Sequence, residues 1–221
     1  MTIVHQQLTA TGIGVVTLDD GKANAVNHEL LDELEQALDA LEGTAKAVVL
    51  AGRPGRFSAG FDLSVMRGGD SAALVQRGGR LLHRLYGFPL PIVAAVSGHA
   101  LAMGALLCLA SDTRIGVAGD FKLGLNETAI GMVLPDFGLI LARERLQPHR
   151  LTEAIIQARV FGPEDAAGVG YLDRVVQAAD LAAAALAEAE ALAELPGPVY
   201  GRIKQAARRQ ALADLERSLS G

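Results

Sequence analysis

The amino-acid sequence predicts a single α/β domain. Short stretches rich in Val, Ile and Leu alternate with segments of helical periodicity along most of its 221 residues, and this alternation is typical of sheets covered by helices. Two strand-like stretches, 3–8 and 14–18, open the chain and are joined by Thr11-Gly12, which favours a hairpin turn. Because 50% of the residues are hydrophobic, a chain of this length can bury a sizeable core.

The remaining elements follow from local patterns. The first helix is predicted to begin after Asn27, a favourable N-cap, and to end at Gly43. The leucines on one face of this helix are Leu30, Leu31, Leu34, Leu38 and Leu41. Further strands are predicted at 47–51, 92–96, 113–117 and 172–176. Further helices are predicted at 74–86, 101–110, 139–146, 151–159, 163–169, 178–195 and 199–219.

Gly and Pro mark the interruptions of this pattern. The stretch 52–60 (GRPGRFSAG), rich in Gly, Arg and Pro, is predicted to be a loop. No linker and no internal repeat divides the chain. We therefore expect a core at 1–195 and a C-terminal helical extension at 196–221.

Charge and composition exclude several classes of function. Lys and Arg number 20 against 25 Asp and Glu, a formal net charge of −5. The densest basic cluster is confined to 202–209, so no nucleic-acid partner is expected. The longest uncharged apolar run, 100–110, is about half a membrane span, so no membrane partner is expected. The single cysteine, Cys108, excludes an internal disulfide, and the first residues carry no export signal, which favours a cytoplasmic protein.

Three segments carry residues suited to catalysis, and each follows a predicted strand. The first, 57–63 (FSAGFDL), and the second, 98–104 (GHALAMG), are turns of small residues ahead of helices, which can point backbone amides towards an anion. The third, 123–127 (LGLNE), places Glu127 among apolar and Gly residues, where desolvation raises the pKa of a carboxyl group. Together they indicate enolate or oxyanion chemistry. The alternative is an ordinary α/β fold, in which Gly-rich turns before helices are common.

In their order and spacing these segments resemble the crotonase (enoyl-CoA hydratase/isomerase) superfamily over about residues 3–195. FSAGFDL is similar to the family's F-x-A-G-x-D-L turn, and 94–98 (AAVSG) to its A-x-(N/S)-G turn. Ser111-Asp112 with 123–127 resembles its C-D…F-G-x-x-E stretch, and 161–173 resembles its A-x-x-A-x-x-x-G-L-V-x-x-V segment. The resemblance implies a crotonase-like spiral of ββα units and an acyl-CoA thioester substrate.

The resemblance also implies roles for individual residues. The backbone amides of Phe61 and Met103 are expected to form an oxyanion hole, and Glu127 is expected to act on the substrate. Substrate contacts are implied for Lys22, Ala23, Ala25, Ala59, Gly60, Asp62, Leu63, Ser64 and Leu106. No metal and no separate cofactor are expected, because coenzyme A is part of the substrate.

One departure from the family's pattern decides the predicted reaction. Hydratases of the family hold two glutamates; the second matches Glu127, but the first would lie at Leu106, which cannot transfer a proton. The sequence therefore favours an isomerase, in which one base moves a proton between two carbons of an enoyl-CoA. The alternative is a hydratase, hydrolase or decarboxylase with Asp136 as second acid or base, although Asp136 more simply caps a helix. A third hypothesis is a non-catalytic acyl-CoA-binding protein.

Three other features have simpler interpretations. Asp62 is expected to cap the following helix, and His99 to be packed rather than to face the substrate. The basic cluster at 202–209 is interpreted as the solvated face of the last helix, with a contact to coenzyme A phosphates as the alternative.

The last two helices also predict assembly. Helices 178–195 and 199–219 carry apolar stripes that need a surface to pack on. Members of the family commonly form trimers or hexamers through this region. We therefore expect a homo-oligomer, with a C-terminal extension that is shorter than is usual in the family.

Overall fold

The computed structural model describes residues 2–220. Its strands are β1 (Val4–Leu8), β2 (Ile13–Leu18), β3 (Ala25–Val26), β4 (Ala47–Gly52), β5 (Gly55–Ser58), β6 (Gly60–Phe61), β7 (Ile92–Val96), β8 (Gly98–Leu101), β9 (Thr113–Val117), β10 (Leu123–Gly124) and β11 (Arg174–Val176). Its α-helices are α1 (His28–Leu41), α2 (Leu63–Met66), α3 (Ser71–Tyr86), α4 (Met103–Ala110), α5 (Asp136–Arg145), α6 (Pro163–Val169), α7 (Leu181–Ala193), α8 (Gly197–Ala207) and α9 (Arg209–Ser218).

Strands β4–β5, β7–β8 and β9–β10 follow one another along the chain in pairs, and the two strands of each pair belong to different sheets. β4, β7 and β9 lie side by side in a six-stranded sheet of order β1-β2-β4-β7-β9-β11. The strands that follow them, β5, β8 and β10, form a separate three-stranded sheet. Neighbouring strands are parallel except in the β1–β2 hairpin. Because a helical segment follows each pair, the chain winds as a spiral of ββα units, and the predicted fold class is confirmed.

Helices cover both faces of the six-stranded sheet. α1 begins where expected, since the Asn27 side chain accepts a hydrogen bond from the Leu30 amide at 2.9 Å. Every residue of α4 is buried, including Cys108. α7 packs against the opposite face of the sheet. Within residues 2–220, no helix has the length and apolar character needed to cross a lipid bilayer.

The stretch 52–60 is not the loop that its composition predicts, because it forms β5 and the start of β6. Gly52 in this stretch and Gly98, which pairs with Gly55, allow close approach of backbones. A Cβ atom at Gly52 would lie 2.4 Å from the Arg56 carbonyl oxygen, and one at Gly98 would lie 2.1 Å from the Gly55 carbonyl carbon. Glycine therefore serves packing between strands at this point rather than chain flexibility.

Residues 151–159 do not form the predicted α-helix. A 3₁₀ turn at Pro148–Arg150 is followed by a π-helical turn at Thr152–Ile156. The Arg159 amide donates to the Glu153 carbonyl, which closes a wide turn that then leads into α6. Periodicity alone does not separate such turns from an α-helix.

The predicted last helix, 199–219, is two helices that meet at Arg208. Arg208 has φ −97° and ψ 8°, and its guanidinium donates to the Tyr86 carbonyl at 2.8 Å and pairs with Asp112 at 2.9 Å. The Lys204 ammonium lies 2.7 Å from the same carboxylate. The interpretation of this basic cluster as a solvated face is therefore wrong for Lys204 and Arg208, which attach α8 to the core.

Candidate active site

Residues from the first turn, α2, α3, α4 and the segment before α5 enclose a cavity of about 170 Å³, here called the Glu127 cavity. It is lined by Ala59, Phe61, Leu63, Met66, Val75, Ala102, Leu106, Asn126, Glu127, Ile130, Met132, Val133 and Pro135. Among these side chains, only those of Asn126 and Glu127 are hydrogen-bonding groups. The cavity therefore combines apolar walls with one amide and one carboxyl group.

The first turn leaves the Phe61 amide free of the neighbouring strand. β6 pairs in parallel with β3, and the Asp62 amide donates to the Val26 carbonyl at 2.9 Å. Because successive amides of a strand point to opposite sides, the Phe61 N–H points away from β3. The loop before β3 is held by the buried Asn24, which adopts φ 50° and donates to the Leu18 carbonyl at 2.8 Å.

The second turn presents the amide of Met103 beside the first. Met103 is the first residue of α4, so its N–H has no acceptor within the helix. Ala102 before it adopts φ 49° and ψ −121°, a conformation rare for a residue with a side chain. A Cβ atom at Gly60, which has φ 94°, would lie 3.3 Å from the Met103 nitrogen and 2.8 Å from the Ala102 Cβ. The two turns are therefore in contact through a position that requires glycine.

Glu127 is a buried carboxyl group with no compensating charge at its oxygen. Its Oε2 atom has no hydrogen-bond partner among residues 2–220. Burial raises the pKa of Glu127 above its usual value, because the charged form loses its hydration. The backbone around it is fixed, since its carbonyl accepts a hydrogen bond from the Met132 amide at 2.9 Å. A carboxyl group in this environment is suited to accept a proton.

Leu106 also lines the cavity and is 1% exposed. It lies on α4, one turn after Met103. Glu127 is thus the only ionisable side chain among the described residues that line the cavity. Within residues 2–220, no group of three or more His, Cys, Asp or Glu side chains is placed to hold a metal ion.

The other predicted contact residues divide into two groups. Ala59 and Leu63 line the cavity. The residues outside its lining lie in the loop before β3, in β3 and β6, at the N-cap of α2 and in α2; they are Lys22, Ala23, Ala25, Gly60, Asp62 and Ser64. Asp62 caps α2 as expected, because its Oδ1 accepts hydrogen bonds from the Ser64 amide at 2.8 Å and the Ser64 hydroxyl at 2.6 Å. These bonds lower the pKa of Asp62.

Asp136 is not brought into the site. It is exposed at the first position of α5 and faces a surface groove that also contains Arg143 and Arg217. The helix cap is Pro135, and no capping bond from a side chain is formed there. The interpretation of Asp136 as an N-cap is therefore wrong. Its role as a second catalytic acid or base stays a prediction, although Asp136 does not line the Glu127 cavity.

His99 is packed, as expected. Its Nδ1 accepts a hydrogen bond from the Lys122 amide at 3.0 Å, and its ring contacts Phe121 edge to face at 5.4 Å between centroids. Burial lowers the pKa of His99, and the charges of Arg56 and Lys122 lower it further.

Sequence reasoning missed two kinds of cavity residue. Met66 and Val75 come from α2 and α3, where an apolar residue on a helix is indistinguishable from ordinary core. Asn126 could have been noticed, because it is a polar residue beside Glu127 in an otherwise apolar segment.

Comparisons with known proteins identify the family. Residues 9–220 match the family model for enoyl-CoA hydratase/isomerase. A probable enoyl-CoA hydratase of Bacillus subtilis is 38% identical over 131 residues, which are 57% of this chain and 50% of that protein. Human mitochondrial enoyl-CoA delta isomerase 1 is 36% identical over 176 residues, which are 75% of this chain and 57% of that protein. The chain thus spans about half the length of these curated relatives.

The fold agrees with the sequence match. The crystal structure of an enoyl-CoA hydratase/isomerase family protein from Pseudomonas syringae is 39% identical to this chain, with a TM-score of 0.95. The superposition covers 99% of this chain and 95% of that one, so it includes both sheets and the C-terminal helices. On the sequence match over residues 9–220 and on this shared fold, the chain belongs to the enoyl-CoA hydratase/isomerase family.

Proposed function

We propose that the protein shifts the double bond of an enoyl-CoA thioester, with Glu127 as its single base. The observation that carries this proposal is that Glu127 is the only ionisable side chain lining its cavity in the described chain, while Leu106 occupies the place of the first hydratase glutamate implied by the resemblance. Addition of water in this family uses two carboxylates. A proton shift between two carbons needs only one base, which accepts and returns the same proton.

The two turns supply the electrostatic part of the proposed mechanism. The thioester oxygen would accept hydrogen bonds from the amides of Phe61 and Met103. These donors belong to backbone that is fixed before substrate binds, and such preorganised donors stabilise the negative charge that develops on the oxygen of an enolate. Removal of one such donor typically lowers kcat by about 10²–10³.

Glu127 supplies the proton transfer. Its carboxylate would take the proton from C2 of a 3-enoyl thioester, and the C–H electron pair would enter a dienolate with its charge on the thioester oxygen. The same carboxyl group would then return the proton to C4 as the carbonyl re-forms, which leaves a 2-enoyl thioester. The raised pKa of Glu127 makes its carboxylate a stronger base.

The surroundings of the cavity fit an acyl chain. Leu63, Ile130 and Val133 line it and are 49%, 49% and 90% exposed. Large apolar side chains exposed around a cavity favour an apolar ligand. We further propose that coenzyme A lies along Lys22, Ala23, Ala25 and Ser64, which adjoin the first turn.

The proposal is tested by incubating the protein with a panel of 2- and 3-enoyl-CoA thioesters and monitoring their conversion by ultraviolet absorbance. We expect conversion of a 3-enoyl thioester, and a loss of about 10²–10⁴ in kcat for Glu127→Gln. Asp136→Asn is the matched control, because it changes an exposed carboxyl group outside the cavity, and it should keep wild-type rates.

Three outcomes would contradict the isomerase proposal. Rapid hydration of crotonyl-CoA with no action on 3-enoyl thioesters would favour a hydratase. Loss of turnover in Asp136→Asn would favour the two-acid alternative, which includes hydrolase and decarboxylase reactions. Calorimetric binding of CoA thioesters without turnover of any of them would favour an acyl-CoA-binding protein.

We also propose that the protein is a homo-oligomer, a trimer or hexamer. Leu195, Val199 and Ile203 are 48%, 56% and 65% exposed, and Val199 and Ile203 lie on α8. Apolar side chains grouped in this way favour a subunit interface. Ile203→Asp should lower the mass measured by light scattering, and a wild-type monomer of 23.0 kDa at micromolar concentration would contradict the proposal.

A further inference from the structure

Tyr171 places a buried hydroxyl group next to the segment that carries Glu127. Its backbone follows Gly170, which ends α6 with φ 105°, and its amide donates to the Ala166 carbonyl at 2.9 Å. Its side chain is fully buried, and its ring lies 6.0 Å from that of Phe161 between centroids. Because both the main chain and the ring are held, the fold fixes the position of the hydroxyl group.

The Tyr171 hydroxyl accepts a hydrogen bond from the Leu125 amide at 3.3 Å. Leu125 is 1% exposed, and without this acceptor its N–H would have no partner among residues 2–220. An unpaired buried N–H group costs free energy and is rare in folded proteins. Burial raises the pKa of Tyr171, and the charge of Glu127 raises it further. The hydroxyl group therefore stays neutral at physiological pH and accepts this bond in every state of Glu127.

The same segment is attached to the second turn. β10 pairs with β8, and the Ala102 amide donates to the Gly124 carbonyl at 3.0 Å. Leu125 follows Gly124 directly. Among the hydrogen bonds of residues 2–220, the one between Leu125 and Tyr171 is the last that holds this segment to another element before Glu127.

The position of the Glu127 carboxyl group depends on this main chain. Its Oε2 atom has no hydrogen-bond partner within the described chain, so no side chain holds that oxygen in place. Only Asn126 separates Leu125 from Glu127, and a displacement of the Leu125 amide is therefore passed on to the base. A displacement of about 1 Å in catalytic geometry can lower a rate by about 10².

We propose that Tyr171 is a positioning residue for the proton transfer, because its hydroxyl group fixes the Leu125 amide and so holds the Glu127 carboxyl group at a set place relative to the second turn. The inference rests on the proposed function. Tyr171 lies outside the lining of the cavity, so it contacts neither the substrate nor the proton that Glu127 carries.

Tyr171→Phe removes the hydroxyl group and keeps the ring against Phe161. With 3-hexenoyl-CoA as substrate, kcat per folded molecule should fall by about 10- to 100-fold, because Glu127 is displaced from the C2 proton. KM should stay within about twofold of wild type, because the residues that line the cavity are unchanged. Urea unfolding gives the folded fraction of the variant, so that lost stability is not counted as lost catalysis.

Tyr86→Phe is the matched control. Tyr86 is 2% exposed, but its ring packs 4.2 Å from the Arg208 guanidinium and does not line the cavity. Removal of this second buried hydroxyl group should leave both kcat and KM per folded molecule at wild-type values.

Glu127→Asp tests whether Tyr171 acts through the base. The aspartate side chain is one methylene shorter, so its carboxyl group is already withdrawn from the C2 proton. Tyr171→Phe should therefore lower kcat by a smaller factor in Glu127→Asp than in wild type, since residues that act through one another are not additive. Single-turnover measurements with excess protein keep the slow double variant measurable.

The inference is wrong if Tyr171→Phe keeps the wild-type kcat per folded molecule or raises KM alone. It is also wrong if Tyr171→Phe lowers kcat by the same factor in Glu127→Asp as in wild type, since Tyr171 would then act independently of the base. Glu127→Gln separates the two claims. If Glu127→Gln retains wild-type turnover, the proposed function fails; if it is inactive while Tyr171→Phe is normal, only the inference about Tyr171 fails.

Discussion

Asp112 should be the acidic residue whose loss most destabilises the C-terminal helices. Its Oδ2 accepts from the Ile92 amide at 2.8 Å and the Lys204 ammonium at 2.7 Å, and its Oδ1 lies 2.9 Å from Arg208. The side chains of Asp112, Lys204 and Arg208 are 8%, 4% and 14% exposed. Asp112→Asn removes the negative charge that these two cations share. It also replaces one carboxylate oxygen, a hydrogen-bond acceptor, with an NH2 group, a donor that faces another donor.

The magnitude follows from this burial. Removal of one partner of a buried ion pair costs about 3–5 kcal/mol in the free energy of unfolding, because the remaining charge is left uncompensated. For a chain of this size Tm falls by about 2–4 °C for each kcal/mol, so a decrease on the order of 10 °C is expected. Urea unfolding followed by circular dichroism, with a thermal scan, measures both quantities.

Asp214→Asn is the matched control, because it removes a carboxylate that pairs with the exposed Arg217 on α9. Surface pairs contribute about 0–1 kcal/mol. The double variant Asp112→Asn/Lys204→Met should be more stable than Asp112→Asn alone, since it also removes one unpaired cation. The reasoning is refuted if Asp112→Asn loses no more stability than Asp214→Asn does.

Three further predictions concern the pH dependence of activity, the pH dependence of stability and the backbone at Gly60. Because the pKa of Glu127 is raised and the carboxylate is the active form, kcat/KM should fall with decreasing pH through an apparent pKa above the 4.5 of an ordinary glutamate; a pH-rate profile checks this. Burial lowers the pKa of Lys204 to about 8 from 10.5. Between these pH values Lys204 therefore carries its proton in the unfolded chain but not in the folded protein. The free energy of unfolding should rise with increasing pH over this interval in wild type, and it should rise less in Lys204→Met. Gly60→Ala should abolish most turnover while the helical circular dichroism signal is largely kept, because its Cβ would lie 2.8 Å from the Ala102 Cβ and 2.9 Å from the Leu101 carbonyl oxygen at φ 94°.

Local spacing in the sequence was sufficient to predict most helices and strands. It also predicted where some of them begin or end. The Asn27 cap and the leucine face of α1 follow from neighbours three and four positions apart, and the strands at 92–96 and 113–117 follow from short apolar runs. The turns around Gly60 and Ala102 were also readable, because small residues stand before predicted helices. Such features depend on residues close together in the chain, so the sequence by itself determined them.

Other features depend on residues that only folding brings together. Lys204 and Arg208 lie about ninety residues after Asp112, so nothing local shows that α8 is attached to that carboxylate or that the helix must break at Arg208. Gly52 looks like part of a loop until the backbone that it contacts is in place.

The same reason separates the predicted from the unpredicted parts of the site. The sequence placed Glu127 in an apolar segment, but only the tertiary structure decided that Leu106 shares its cavity, that Asp136 faces away and that the Asn126 oxygen has no partner within the described chain. Burial and pairing are properties of three-dimensional neighbours. A pattern along the chain predicts which residues are suited to chemistry, and the fold determines which of them share a cavity.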